Sequence, residues 1–276
     1  MSKFQQSNRS GLSMSSPRLW PNPPGNSPLP LPARASFFSR NDFVDITPPQ
    51  MPNSDSIGLE ELREYVGNHT FEDGRTISDV IDLQNRRPLL IAGELANPYR
   101  LSDLMAPDMP IIPVRLEDVC RTWADNLDAR DVQPGIHHVT IVRSPGWWER
   151  SFITLLELPD MKKLVKWLDG HNSNTWAPKR LAEGNIRLET NMELMHPTFE
   201  QISWDGNEER VEIEIPPPNG PALDLSTIMV PINTRSGCYN SRGRVNRCVH
   251  YFQTDFHEKM FRRGSSFKWS DMLEFL

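Results

Sequence analysis

The spacing of apolar residues changes period along the chain. Over residues 56–67, SIGLEELREYVG sets Leu59, Leu62 and Val66 three and four apart and stops at a glycine, which predicts a short amphipathic helix. TISDVIDLQNRR repeats that spacing with Ile77, Val80 and Ile81, starting at Thr76 or Ser78. RPLLIAGEL reads as a buried strand or a turn of helix. PVRLEDVCRTWADNLDARD places Leu116, Val119, Cys120, Trp123 and Leu127 on one stripe, the pattern of a longer helix.

After Gly135 the period falls to two. GIHHVTIV alternates Ile136, His138, Thr140 and Val142 against His137, Val139 and Ile141, a strand closed by Ser-Pro-Gly. SFITLLEL is a second, almost wholly apolar strand, and DMKKLVKWLDG a helix with Met161, Leu164, Val165 and Leu168 facing inward. NIRLETNMEL, TFEQISW, ERVEIEI, LDLSTIMVPI and RCVHYFQTDF complete the predicted strands. In ERVEIEI, Val211, Ile213 and Ile215 alternate with Glu212 and Glu214, so one face meets water and the sheet is antiparallel or mixed.

The fold class that follows is α+β, in three parts. Residues 1–54 are a Pro-rich, basic leader or arm, and residues 55–130 an acidic, mostly helical segment. Residues 131–276 are a β-rich body with a basic loop and an aromatic tail. Ten of the 25 prolines fall in the first 52 residues, where they forbid helix. A mean hydropathy of -0.53 fits a chain of which part carries no core.

The net charge of -6 is segregated. By formal counting the leader carries +3, residues 51–230 carry -13 and residues 231–276 carry +4. No apolar run approaches the ~20 residues of a membrane span and no signal-peptide pattern opens the chain. The expected compartment is therefore the cytoplasm, the nucleus or a virion. Three widely spaced cysteines, Cys120, Cys238 and Cys248, read as reduced thiols packed as small hydrophobes. No cofactor is implied. Cys238, Cys248, His250 and His257 lack the close thiol pair of a zinc knuckle, so no metal is assigned.

Candidate chemistry concentrates in NTRSGCYNSRGRVNRCVHYF. Its Arg235, Arg242, Arg244 and Arg247, with Arg262 and Arg263 beyond, could meet nucleic acid or another anion. Glycine motifs for nucleotide phosphates are absent. Trp20, Phe37 and Phe38 of the leader, Trp147, Trp148 and Trp176 of the body, and Trp269 and Phe275 of the tail are candidate interface residues. GIHHVTIV resembles the first strand of glyoxalase-type domains, but SPGWWERSFITLLEL lacks their helix-then-strand continuation, and the chain is assigned to no family.

Two functions fit this organisation. The first is a structural or interaction protein that assembles with copies of itself, as viral coat, matrix or nucleocapsid-associated proteins do, with local nucleic-acid contact. The alternative is an enzyme on a small or phosphorylated substrate. It would use His138, His196 or His257 for acid–base chemistry and Arg235, Arg242 or Arg244 as an anion clamp. A cleft joining His138 or His196 to the arginine loop separates the two.

Overall fold

The computed structural model describes residues 32, 34–40, 42–127, 137–169, 175–191, 193–234, 237–260 and 265–267. Among them the chain is a mixed α+β fold with mostly antiparallel pairing, isolated parallel bridges at Ser56↔Ala222 and Leu89↔Met229, and helices interspersed. The strands are β1 (Ser36–Ser39), β2 (Asp42–Asp45), β3 (Arg87–Leu90), β4 (Met109–Leu127), β5 (His137–Leu156), β6 (Trp176–Lys179) and β7 (Asn185–Leu188). They continue with β8 (Ile202–Trp204), β9 (Glu209–Val211), β10 (Ala222–Asp224), β11 (Val230–Asn233), β12 (Cys238–Ser241), β13 (Arg244–Val245) and β14 (Ser265–Phe267). The helices are α1 (Leu59–Gly67), α2 (Pro98–Asp103) and α3 (Leu158–Leu168).

β4 and β5 are the spine. One edge of β4 pairs with β5 along nearly its whole length. The other edge is covered in turn by β1 at Met109–Ile111, β7 at Val114–Glu117 and β12 at Ala124. Ladders this long must break to follow the twist of a sheet. Here residues 144–147 of β5 lie opposite the single Asp118, whose φ is 61°. The carboxylate of Asp118 accepts from the Gly146 N–H at 2.8 Å and holds the break in place.

β4 is the largest departure from the sequence expectation. Residues 114–130 fit a helical stripe because the strand is buried on both faces, from Met109 to Ala124 with Asp118 half-exposed, so no polar face reveals a period of two. The break at Asp118 then restores a false spacing of three between Leu116 and Val119. The division into a helical segment and a β-rich body therefore gives way to one mixed fold, and β1 and β2, from residues assigned to the leader, belong to its main sheet.

Other elements follow local chemistry. α1 begins at Leu59, where the Glu61 carboxylate accepts from the Gly58 N–H at 2.6 Å, and it buries Leu62, Tyr65 and Val66. TISDVIDLQNRR makes only a 3-10 turn, Ile77–Asp79, because Asp79 bonds back to the N–H and hydroxyl of Thr76 and the chain turns again at Asp82. α3 starts at Leu158, with Pro159 in its first turn, and buries the four apolar residues expected. RCVHYFQTDF is not a strand. After the Thr122↔Arg247 bridge the His250 N–H turns back to the Arg247 carbonyl, and Gln253–Asp255 runs into a π-helical turn, Phe256–Met260.

A row of like charges crosses the sheet. Arg187 of β7, Arg115 of β4 and Arg150 of β5 stand directly opposite one another, and such neighbours share a face. Two carboxylates offset them. Glu189 takes Arg115 at 3.0 Å, and Glu117 bridges Arg115 at 3.5 Å and Arg187 at 2.9 Å. The Arg115 guanidinium, 1 % exposed, also donates to the carbonyls of Pro216 and Pro217 and fastens that loop to the sheet. Arg115→Met leaves Glu189 in a dry site without its ion-pair partner, while Glu117 keeps Arg187, and should cost about 3–5 kcal/mol in urea unfolding. Adding Glu189→Leu should recover part of the loss.

Candidate functional site

A cavity of about 430 Å³ opens between β2, α1 and the end of the arginine row. Arg150 of β5, Ile112 and Pro113 of β4, and Tyr65 and His69 at the C-terminal end of α1 form its wall. Tyr65 stands in the last turn of α1 and His69 just beyond its C-cap Asn68, and their rings meet edge-on at 5.0 Å. Arg34, Asp45 and Glu72, all exposed, sit at the rim with both signs of charge. Rim charges in water are screened more than half-buried Arg150 in the wall.

Each ionisable group of the wall is shifted. Burial pushes the Tyr65 hydroxyl up to about 12, helped by the negative charge of Glu189. Burial pulls His69 down to about 4, against the pull of its bonds to the Tyr65 and Val66 carbonyls. Burial also lowers Arg150, while Glu189 pulls it back, and an arginine so shifted stays a cation. His69 Nδ1 lies 3.0 Å from the Tyr65 carbonyl, so this nitrogen carries the proton and Nε2 holds the lone pair. Nε2 is buried and has no hydrogen-bond partner among the described residues. His69 is 0 % exposed and orients Tyr65 from behind.

The arginines and histidines singled out in the sequence form a second cluster, at the β5 break. Arg247 lies 4.6 Å over the Trp147 ring, bonds the Ser144 hydroxyl at 2.7 Å and pairs with Glu209 at 3.1 Å. Arg244 takes the other oxygen of Glu209 at 3.2 Å and covers Phe199 at 4.9 Å. His196 stacks on Trp147 at 6.0 Å, and its ring centre is 5.7 Å from that of His250. His196 and the arginine loop thus do meet, but Glu209 already occupies the anion position of both guanidinium groups. Beneath them Arg121 and fully buried Glu149 pair at 3.0 Å. This arrangement fastens the β8–β9 hairpin and residues 244–250 to the spine.

The remaining candidates scatter. Arg242 is exposed at φ 56°, and with Gly243 at φ 86° it makes the left-handed pair of a tight hairpin between β12 and β13. His138 is buried against Trp176, and His257 lies 2.9 Å from His137 beside Phe256. The expected interface aromatics Phe37, Phe38, Trp147, Trp148 and Trp176 are all buried in this chain, at 7 % exposure or less. Large rings gain most from enclosure, and the sheet supplies it. Trp20, Trp269, Phe275, Arg235, Arg262 and Arg263 lie outside the described residues.

Cys120, Cys238 and Cys248 are free and buried, and burial lifts the first and second thiols to about 12 and the third well above its ordinary value, which removes them as nucleophiles. Among the described residues no three His, Cys, Asp or Glu side chains gather as a metal requires, and no helix is long and apolar enough to cross a membrane.

No family model matches the chain, and no curated protein or solved structure is similar to it. Sequence reasoning missed Tyr65, His69 and Arg150. The available signal was Tyr65 and His69 four apart at the end of an amphipathic helix. Arg150 gave none, because its place depends on strand register.

The depressed pKa of His69 sets a pH dependence. Its unfolded value of 6.5 lies above the folded value of about 4, so the unfolded chain binds the extra proton in between. Stability from this group is complete above pH 6.5 and is lost as pH falls towards 4, by about 3 kcal/mol. Urea midpoints at pH 7 and pH 4.5 should differ accordingly, and His69→Gln should narrow the difference.

Proposed function

We propose that the chain recognises a small molecule bearing an anionic group, held in the cavity beside α1 with its charge against Arg150. The observation that supports this most is that the arginine row crossing the sheet ends with Arg150 in the wall of the cavity. A desolvated cation in a concave, partly apolar site is a favourable place for a carboxylate or phosphate.

This reading keeps the small-substrate and arginine half of the enzyme alternative and moves it from Arg235, Arg242 and Arg244 to Arg150. The histidine half has no group to carry it at this site. A general acid or base works best with a pKa near the operating pH, and Tyr65 at about 12 and His69 at about 4 are both far from it. Binding, not turnover, is the activity inferred. Self-assembly drew on the chain ends, of which residues 1–31 and 268–276 lie outside the described residues, and local nucleic-acid contact drew on the basic loop, where Arg244 and Arg247 are paired with Glu209. The body aromatics expected to join the chain ends are buried.

Titration of the full chain with inorganic phosphate, phosphoserine and AMP, followed by ¹H–¹⁵N NMR, should shift resonances of residues 34–48 and 65–69 with at least one of them. Arg150→Gln should weaken that binding by about tenfold or more, and Arg150→Lys by less. Absence of shifts with all three anions, or unchanged affinity in Arg150→Gln, sinks the reading.

A further inference from the structure

Residues 212–215, the end of ERVEIEI, depart from what their alternation predicts. The period of two predicts a strand with an apolar face in the core, yet β9 ends at Val211. Beyond it Ile213 is 37 % and Ile215 43 % exposed. No backbone hydrogen bond joins residues 213–215 to another described residue. A β-branched, alternating stretch with open N–H and C=O groups is a template for strand pairing.

Both ends of the stretch are fixed. Upstream, the Glu212 N–H donates to the Gln201 carbonyl at 2.8 Å, extending the β8–β9 ladder by one bond. Downstream, Arg115 holds the Pro216 and Pro217 carbonyls at 2.5 and 3.1 Å. Only three residues between these anchors remain to be ordered, and short anchored segments lose little entropy on pairing. Pro216 ends any ladder on that side, because proline has no N–H to offer.

Charge defines the partner. Glu212 and Glu214 alternate with the isoleucines and supply the charge of the stretch, whereas Asp205 and Glu208, in the turn that leads into β9, are paired with Arg210 at 3.4 and 2.7 Å. Two copies of this stretch paired with each other would set glutamate beside glutamate, which is unfavourable. We infer that residues 212–215 add as a strand to the open sheet edge of a partner protein whose edge alternates lysine or arginine with apolar side chains. Backbone pairing supplies affinity, the isoleucines fill the apolar positions, and the glutamates select the basic rim. This does not depend on the cavity at Arg150.

The test uses the full chain and a cyclic β-hairpin peptide whose free edge reads Lys-Val-Lys-Val-Lys, with a Glu-Val-Glu-Val-Glu hairpin as the control. Fluorescence anisotropy should give saturable binding of the basic hairpin that weakens as salt rises. Amide exchange at Ile213 and Ile215 should slow by about tenfold or more in the complex. Ile213→Lys with Ile215→Lys should abolish both effects with an unchanged thermal midpoint, since both side chains are exposed. Glu212→Lys with Glu214→Lys should reverse the preference towards the acidic hairpin, a result that loss of folding cannot produce. Equal binding of the two hairpins by the wild-type chain, or unaltered exchange at residues 213–215, overturns the inference. Sedimentation showing a wild-type dimer that the isoleucine variant abolishes would make the occupant a second copy and refute the basic partner.

Discussion

The pairing of β4 with β5 is the constraint on which the rest of the molecule depends. Both strands are buried on both faces along most of their length, so every polar side chain they carry needs an internal partner. Arg115 with Glu189, Arg121 with Glu149, and Arg187 with Glu117 answer that need. Such pairs add little net stability compared with an apolar core of the same shape, but each is costly to break from one side. They therefore fix which loop lies on which stretch of the spine. The loop at Pro216 and Pro217 is tied by Arg115, and residues 244–250 and the β8–β9 hairpin are tied to the β5 break through Glu209.

The same requirement explains why Arg244 and Arg247 of the basic loop are engaged within the fold, while Arg150, from a strand, lines the cavity. Arg244 and Arg247 share one carboxylate and cover aromatic rings, an arrangement with no room for a second anion at the same donors. Arg150 ends the row and lines the cavity. Burial, which depresses its pKa, also strengthens its attraction for a negative group brought into the cavity.

Elements with one solvated face were legible in the sequence. α1 and α3 declared themselves through Leu62, Val66, Leu164 and Leu168, and ERVEIEI pointed to an antiparallel or mixed sheet although its own strand stops at Val211. β4 was not legible, because Val114, Leu116, Val119 and Cys120 are buried whichever way they point and Asp118 interrupts the count. The site was harder still. His196 and the arginine loop could be suspected from residue type, and they do meet, but Glu209 that neutralises them lies 35 residues before Arg244 and carries no local signal. Tyr65, His69 and Arg150 converge only because strand register and helix packing bring segments 85 residues apart to one wall, and spacing along a sequence does not encode that.

The covering of the second edge of β4 has a consequence during synthesis. β1 precedes the long hairpin and is at hand when it forms, but β7 and β12 emerge from the ribosome well after β4 and β5 are complete. Until then a strand with apolar residues on both faces has bare backbone along much of one edge, an open invitation to a neighbouring nascent chain. Pairings this distant also slow folding, which prolongs the exposure. Crowded polysomes, before any ligand or partner is met, are where this architecture is most vulnerable, and holding chaperones should find their footing on that edge.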